Sequence, residues 1–441
     1  MNSVSTPSIP SSFKDINSEW IISMCKETLY PPQKQEGFLS PSPKIEVDIK
    51  PWADGSQGAL SDILLVFVHA SIPIGRSQSR AHHLFVKVIP QSMRKLILKH
   101  RLFERELIMY RDVFPLLIKK VIDDRVPGFQ FKHFLLPKYV FGAVKDGKGV
   151  LVLEDLSRSG YTINDSSFKL FDVDKLDLAC GALAEFHALS MAFNEISDTK
   201  LEEIFPILDP KGLIWFQDDM LPFINAMNVI SKAFLKSLPN EQETLRRFEK
   251  VAMDPMDIFN DEISRKGYFD CLQHGDSWHN NFLFEKKSHK SAIIDWQLSY
   301  YGNGLSDLSY LIYSSTSKFT RLEQPNFLVH SYLNVLTSTL TKLELSNICI
   351  NLSVDNFLNE FKKSLPLTLL LCGNIEDLTL REYGDKDKKD STLKRKTSIA
   401  SNMEMIYLHQ QGRTLMIRMD QKKARSIRRK HYLDLCKDIL K

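Results

Sequence analysis

One segment past the midpoint limits the folds open to this chain: His274-Gly-Asp-Ser-Trp-His-Asn-Asn-Phe-Leu-Phe284. After nine intervening residues comes Ile294-Asp-Trp-Gln297. The first segment holds His274, Asp276 and Asn281. The second holds Asp295, 19 residues after Asp276. Phosphoryl transfer to a hydroxyl uses an Asp to accept the proton, and an Asn and a further Asp to hold Mg²⁺. A short hairpin could carry both acids into one place. Phe282-Leu-Phe284 and Ala292-Ile-Ile294 are apolar enough for its strands, and Lys286-Lys-Ser-His-Lys290 is a polar turn. The spacing His-x-Asp-x4-Asn alone arises by chance in roughly one chain in fifty of this size. The rest of the chain must therefore supply the other parts.

The 441 residues, 43% hydrophobic and 25% charged, fit a soluble globular chain able to bury a large core. A net charge of +4 gives little ground for a nucleic-acid partner, and none is expected. Cys25, Cys180, Cys271, Cys349, Cys372 and Cys436 form no Cys-x-x-Cys pattern. They read as reduced thiols in a cytoplasmic protein, with neither a zinc site nor a disulfide framework. Met1–Pro10 lacks the basic and apolar regions of a signal peptide. No apolar run approaches the ~18 residues of a membrane helix, so no span is expected. Leu365–Leu371 reads as a buried helix segment. Nothing in the sequence speaks to oligomeric state.

Residues 1–16 are rich in Ser and Pro, and Ser18–Leu29 has apolar residues at helical spacing behind a Ser cap. Trp52–Ser61, with Gly58 and Ser61, is a small-residue turn feeding the apolar run Asp62–Val68. Glycine lets backbone N–H groups approach phosphate, but an ordinary hairpin loop fits the same residues. Leu84-Phe-Val-Lys-Val-Ile89 is a strand with Lys87 embedded in it. Lys87 either snorkels from an edge strand or reaches nucleotide phosphates. Leu102–Tyr110 decides for phosphate. It is helical, with Phe103, Leu107 and Tyr110 on one face and Glu106 beside them, 19 residues after Lys87. Glu104 is the competing acid. Pro137–Val144 and Val150–Leu153 form a hairpin across a Gly-containing turn. In a kinase-like chain the next residues are a hinge, with the Glu154 carbonyl and the Leu156 N–H pairing adenine. The plain alternative is a strand end with a solvated Asp155.

Beyond the hinge the pattern is helical. Leu176, Ala179, Leu183 and Phe186 share a face with His187 beside it, and a structural His is favoured there over a catalytic one. Further helices fall between about 212 and 266. Asp307 sits near a helix cap in Gly302–Ile312. There is no Ala-Pro-Glu and no long activation segment, which speaks against protein as the acceptor. Tyr383–Lys396 is a charge-dense loop in which Lys394–Ser398 reads as solvated linker. The six basic residues between Lys422 and Lys430 read as a solvated face rather than an anion-binding one. The expected fold class is α+β with two lobes: a small antiparallel sheet with one key helix, and a larger, mainly helical lobe. The expected divisions are a tail with a short helix (1–40), a nucleotide-binding lobe (41–155) and a helical lobe carrying the acceptor site (156–441).

With these residues in hand the chain resembles the ecdysteroid kinase-like family, within the choline kinase and aminoglycoside phosphotransferase branch of the protein-kinase-like superfamily. The resemblance runs from about Trp20 to the C-terminus. It is carried by His274–Phe284, Ile294–Ser299 with Asp307-Leu308, Leu153–Leu156, Phe186–Leu189, and Phe103 with Glu106, Tyr110 and Pro115. It implies Asp276 as base, Asn281 and Asp295 as Mg²⁺ ligands, Lys87 with Glu106 as phosphate anchor, and Ser61 near the phosphates. It implies ATP as co-substrate and a small-molecule hydroxyl, steroid-like or xenobiotic, as acceptor. Gln273 and His279 depart from the family's usual residues, without removing a reacting group. Two other readings stay open. One is a catalytically silent binding protein of the same fold. The other is a metal-dependent hydrolase built on His274, Asp276, His279 and Asp295, for which no third His stands nearby.

Overall fold

The structure is a computed structural model. It describes residues 8–31, 34–35, 38–39, 43–51, 61–72, 78–163, 170–213, 216–285, 287–317, 329–384, 433–434 and 436–440. Gly58 with its loop, Lys286, the 385–398 segment and the basic stretch 422–430 lie outside them. The chain forms two compact units, 1–115 with 136–161, and 116–135 with 162–441.

The first unit is built on a five-stranded antiparallel sheet. Its strands are β1 (Lys44–Pro51), β2 (Asp62–Ile72), β3 (Gln78–Val88), β4 (Tyr139–Lys145) and β5 (Lys148–Glu154), in the order β1-β2-β3-β5-β4. Alternation decides its faces. Leu64, Val66 and Val68 of β2, Leu84, Val86 and Val88 of β3, and Val150 and Val152 of β5 form one buried cluster. Helix α1 (Ser18–Thr28) completes it with Trp20, Ile21, Met24 and Cys25. Its cap is Asn17, whose side chain accepts from the Trp20 N–H at 2.9 Å, rather than the expected Ser18. The β4–β5 turn is Asp146-Gly147, both at positive φ, the geometry that suits a two-residue hairpin. Helix α2 (Leu102–Ile108) packs against β4 and β5. A Cβ on Gly142 would overlap Leu107, and one on Gly149 would overlap Phe103.

The second unit is mostly helical. Helix α3 (Val173–Ile196) is capped by Asp172 and buried through nearly its whole middle, as its all-round apolar sequence demands. Contrary to the expectation of no such segment, it is long and apolar enough to cross a bilayer, but 89% of the apolar stretch is buried inside the protein. Glu185 explains an acid in such a helix. Its carboxylate accepts the backbone N–H groups of Lys132, His133 and Phe134 at 2.7–2.8 Å. Burial raises its pKa, but these donors and His133 outweigh burial and hold it below the ordinary value.

Helices α4 (Leu221–Lys236), α5 (Gln242–Val251) and α6 (Pro255–Ser264) follow, then β6 (Asp270–Gln273), β7 (Phe282–Phe284), β8 (Ser291–Ile293) and β9 (Tyr300–Asn303). Strands β6 and β9 pair antiparallel. The expected hairpin is β7–β8, with Phe282 opposite Ile293. It is widened by Thr162–Ile163 on one edge and Phe134–Leu135 on the other. Helices α7 (Gly304–Ser315), α8 (Asn334–Lys342) and α9 (Val354–Gly384) complete the unit, and Leu367, Leu369 and Leu370 of α9 are buried as expected. An antiparallel sheet unit with one key helix and a mainly helical unit make up the α+β architecture read from the sequence.

Candidate active site

In the first unit, Lys87 lies on β3, the middle strand, between Ile63 and Leu151. Only 8% of its side chain is exposed, so the edge-strand alternative is wrong. Its Nζ donates to both carboxylate oxygens of Glu106, at 2.8 and 2.7 Å. The competing Glu104 points elsewhere and takes a two-pronged hydrogen bond from Arg101. Two residues 19 apart meet because α2 crosses the face of the sheet opposite α1. A buried ion pair of this kind repays its desolvation only with good geometry, and both oxygens engage the ammonium. Ser61 is buried at the head of β2.

At the hinge the plain alternative fails in one respect. Asp155 is buried, not solvated. Its side chain accepts from the Ser157 N–H at 3.0 Å and caps a turn over Leu156–Ser159. Glu154 ends β5 with an exposed side chain, and Leu156 is buried.

In the second unit the loop 274–281 leaves β6 and enters β7. Asn281 Nδ2 donates to the Asp276 carbonyl at 2.8 Å and to its carboxylate at 3.0 Å. This fixes the two side chains together and turns Asn281 Oδ1 away from the shared bond. Asp295 follows β8 in a left-handed backbone conformation, φ 69° and ψ 62°. A non-glycine residue there costs about 1–3 kcal/mol and marks a position held by its surroundings. Burial, and then the charge of Asp295, push the Asp276 carboxyl up to about 7, against the hydrogen bond from Asn281.

The loop is braced from behind. His274 is fully buried. Its Nδ1 accepts from the Asp276 N–H at 3.1 Å, and its Nε2 donates to the Ile294 carbonyl at 2.8 Å. Both nitrogens are occupied in the neutral form, and burial lowers the pKa of the ring. Asp307 does the rest. Its carboxylate accepts the His274 N–H at 2.5 Å, the Gly275 N–H at 2.9 Å and the Ser277 hydroxyl at 3.3 Å. His187 also reaches it at 3.3 Å and meets the Tyr332 hydroxyl at 2.7 Å, the structural role favoured for that residue. The cap of that helix is Asn303, whose side chain accepts from the Leu305 N–H, and Asp307 stands in its first turn, near the cap as expected. Asp307 as the loop's anchor was not foreseen, since its partners are backbone groups about 30 residues upstream. His279 is buried against Trp278.

The donors in this loop suit a hard divalent cation. Asp276 and Asp295 lie in each other's field, and Asn281 has an oxygen left over from its bond to Asp276. Two carboxylates crowded so that one resists ionising is the condition a bound cation relieves. The hydrolase alternative loses its first ligand, because neither nitrogen of His274 has a lone pair to offer.

A chain with this strand Lys–helix Glu pair and this Asp–Asn–Asp loop is built on the kinase-like plan. It belongs to the ecdysteroid kinase-like family, whose model matches residues 61–345. No curated protein matches its sequence. Among solved structures it is similar to a Ralstonia eutropha protein provisionally assigned as an aminoglycoside phosphotransferase, with 11% identity, 96% of this chain and 98% of that one covered, and a TM-score of 0.38. It is also similar to a Plasmodium vivax ethanolamine kinase, with 11% identity, coverage of 83% and 82%, and a TM-score of 0.35. A third is an aminoglycoside phosphotransferase in ternary complex with streptomycin and ATP, with 15% identity, coverage of 73% and 93%, and a TM-score of 0.32. Backbone overlap at such scores is loose.

Proposed function

We propose that this protein is an ATP- and Mg²⁺-dependent phosphotransferase acting on a hydroxyl of a small molecule. The observation that carries it is the Asp276–Asn281 hydrogen bond in the field of Asp295. Asp276 orients the acceptor hydroxyl and takes its proton. Asn281 and Asp295 would hold Mg²⁺, which neutralises charge on the phosphate oxygens when bound. Lys87, steadied by Glu106, fixes the α/β-phosphates. Ser61 approaches phosphate oxygens, and the Glu154 carbonyl and Leu156 N–H pair with adenine. His274 and Asp307 take no proton and hold the loop in shape. Positioning and electrostatics carry most of such catalysis.

The reading requires Lys87 and the Asp276 group to act on the same triphosphate. A cytoplasmic location, read from six scattered cysteines, is part of the same proposal. The test is transfer from Mg·ATP across steroids, amino alcohols and glycosides. Asp276→Ala should lose turnover while still binding nucleotide in a calorimetric titration. Wild-type turnover in that variant removes Asp276 from the mechanism. No transfer or hydrolysis by the wild type leaves the silent binding protein.

A further inference from the structure

Arg105 is a buried charge that the proposed site does not use. It stands on α2, one residue before Glu106. Phe103 and Leu107 turn toward the sheet, where a Cβ on Gly149 or Gly142 would overlap them. At about 100° per residue, Arg105 leaves the helix on the opposite side. It is nevertheless only 2% exposed, and its Nε and Nη1 are buried with no hydrogen-bond partner. Nη2 is neither sealed nor bonded, so the guanidinium is reached from that atom.

Among the described residues no carboxylate pairs with this charge. Glu104, on one side of it, is held at both oxygens by Arg101. Glu106, on the other, is held at both by Lys87. Burial, and then Arg101, pull the Arg105 pKa down to about 10, against Glu104. The group is still a cation at neutral pH. The chain around it adds charge of the same sign: residues 94–105 hold Arg94, Lys95, Lys99, Arg101 and Arg105 against Glu104 alone. A buried charge without a counter-charge is strongly destabilising, because its desolvation goes uncompensated. Such a side chain is suited to an anion brought from outside the helix.

We propose that Arg105 is an oxyanion site whose ligand is a phosphate group, free in solution or carried on a side chain. One phosphate oxygen meets Nη2 and a second meets Nε, the two-pronged grip that arginine offers to phosphate. A dianion suits so basic a segment better than a carboxylate does. The occupied site steadies α2, and with it the adjacent Glu106. Nothing in this depends on the phosphotransferase reading.

The test has two arms. In the first, inorganic phosphate is titrated into the full chain at constant ionic strength, with sodium chloride as control. Calorimetry should show binding that saturates below about 10 mM. Arg105→Met should abolish it. Arg105→Lys, which keeps the charge without the two-pronged grip, should weaken it about tenfold. Acetate should bind at least about tenfold more weakly than phosphate, and equal binding overturns the choice of phosphate. Saturating phosphate should raise the melting temperature and slow hydrogen exchange over residues 102–108 in wild type but not in Arg105→Met. Phosphate that acts equally on wild type and both variants is general salting or binding at Lys87, and overturns the proposal. A lower-melting Arg105→Met with undiminished phosphate affinity marks a packing residue, and overturns it too.

The second arm separates the two sources. Wild type and Arg105→Met from a eukaryotic host are weighed by intact mass before and after phosphatase treatment. Loss of phosphate that lowers the melting temperature of wild type alone assigns the ligand to the chain itself. An unchanged mass, with saturable binding in the first arm, assigns it to solution. If neither free phosphate nor dephosphorylation moves wild type further than Arg105→Met, the site does not exist.

Discussion

Replacing Asp307 by Asn keeps the side chain's shape and removes half of what the loop leans on. The carboxylate receives the His274 N–H at 2.5 Å and the Gly275 N–H at 2.9 Å, one on each oxygen, at 2% exposure. Asparagine has one oxygen and one NH₂. Whichever way the amide turns, one backbone N–H faces a second donor. An unmet buried donor costs about 1–3 kcal/mol, and the surviving bond loses its charge assistance. The loss should total about 3 kcal/mol, read as a fall in unfolding free energy by urea titration with tryptophan fluorescence. Turnover should fall by about a hundredfold, because slack in the loop displaces Asp276 from its working geometry. Nucleotide affinity should change little, since Lys87 and Glu106 are untouched. A variant within 0.5 kcal/mol of wild type, the ordinary scatter of harmless substitutions, would refute the account of Asp307 as anchor whatever the activity shows.

Gly275→Ala should cost more than about 3 kcal/mol, or yield no soluble protein. The residue sits at φ 79°, and a Cβ would stand 2.1 Å from the Leu298 carbonyl oxygen. A urea midpoint like that of wild type would contradict this. Lys87→Met should destabilise by about 3–5 kcal/mol by stranding the Glu106 carboxylate. The double variant Lys87→Met/Glu106→Leu should recover much of that, and a strictly additive double-mutant cycle would show that the pair does not couple. Asp270 carries a carboxyl pushed up to about 6, by burial first, against the Gly267 N–H that binds it. Its folded pKa lies above the unfolded one, so the protein keeps this proton longer than the unfolded chain, and stability falls as pH rises from about 4 to 6. Asp270→Asn should remove that slope and gain at most about 3 kcal/mol on wild type at pH 7 relative to pH 4. Parallel stability curves over that range would rule it out.

The parts of the site that were legible in the sequence are those with a residue type and a spacing. Lys87 interrupts an apolar strand, and Glu106 follows on a helix whose apolar face can be counted. The 282–294 hairpin announces itself by two short apolar runs. Unread were the groups that work through backbone. Asp307 and Glu185 bind N–H donors, and an N–H carries no trace in the sequence of who binds it. Glu185 sits in an apolar helix where one acid looks like a solvated lapse. Asp155 misled for a related reason: a short acid after a strand reads as exposed unless its capping bond to Ser157 is known. The place of α1 in the sheet's core was equally hidden, because its apolar face gives no address.

On the proposed function, the left-handed backbone at Asp295 bears on how the chemistry could be lost. Apart from Gly, that conformation is least costly for Asn and Asp. Aspartate and asparagine codons differ by one base. A single transition could therefore strip the charge from position 295 while leaving the hairpin and its neighbours undisturbed. Mutational drift toward a folded but inert descendant is thus unusually shallow at this position, whereas the glycine at 275 offers no such gentle exit.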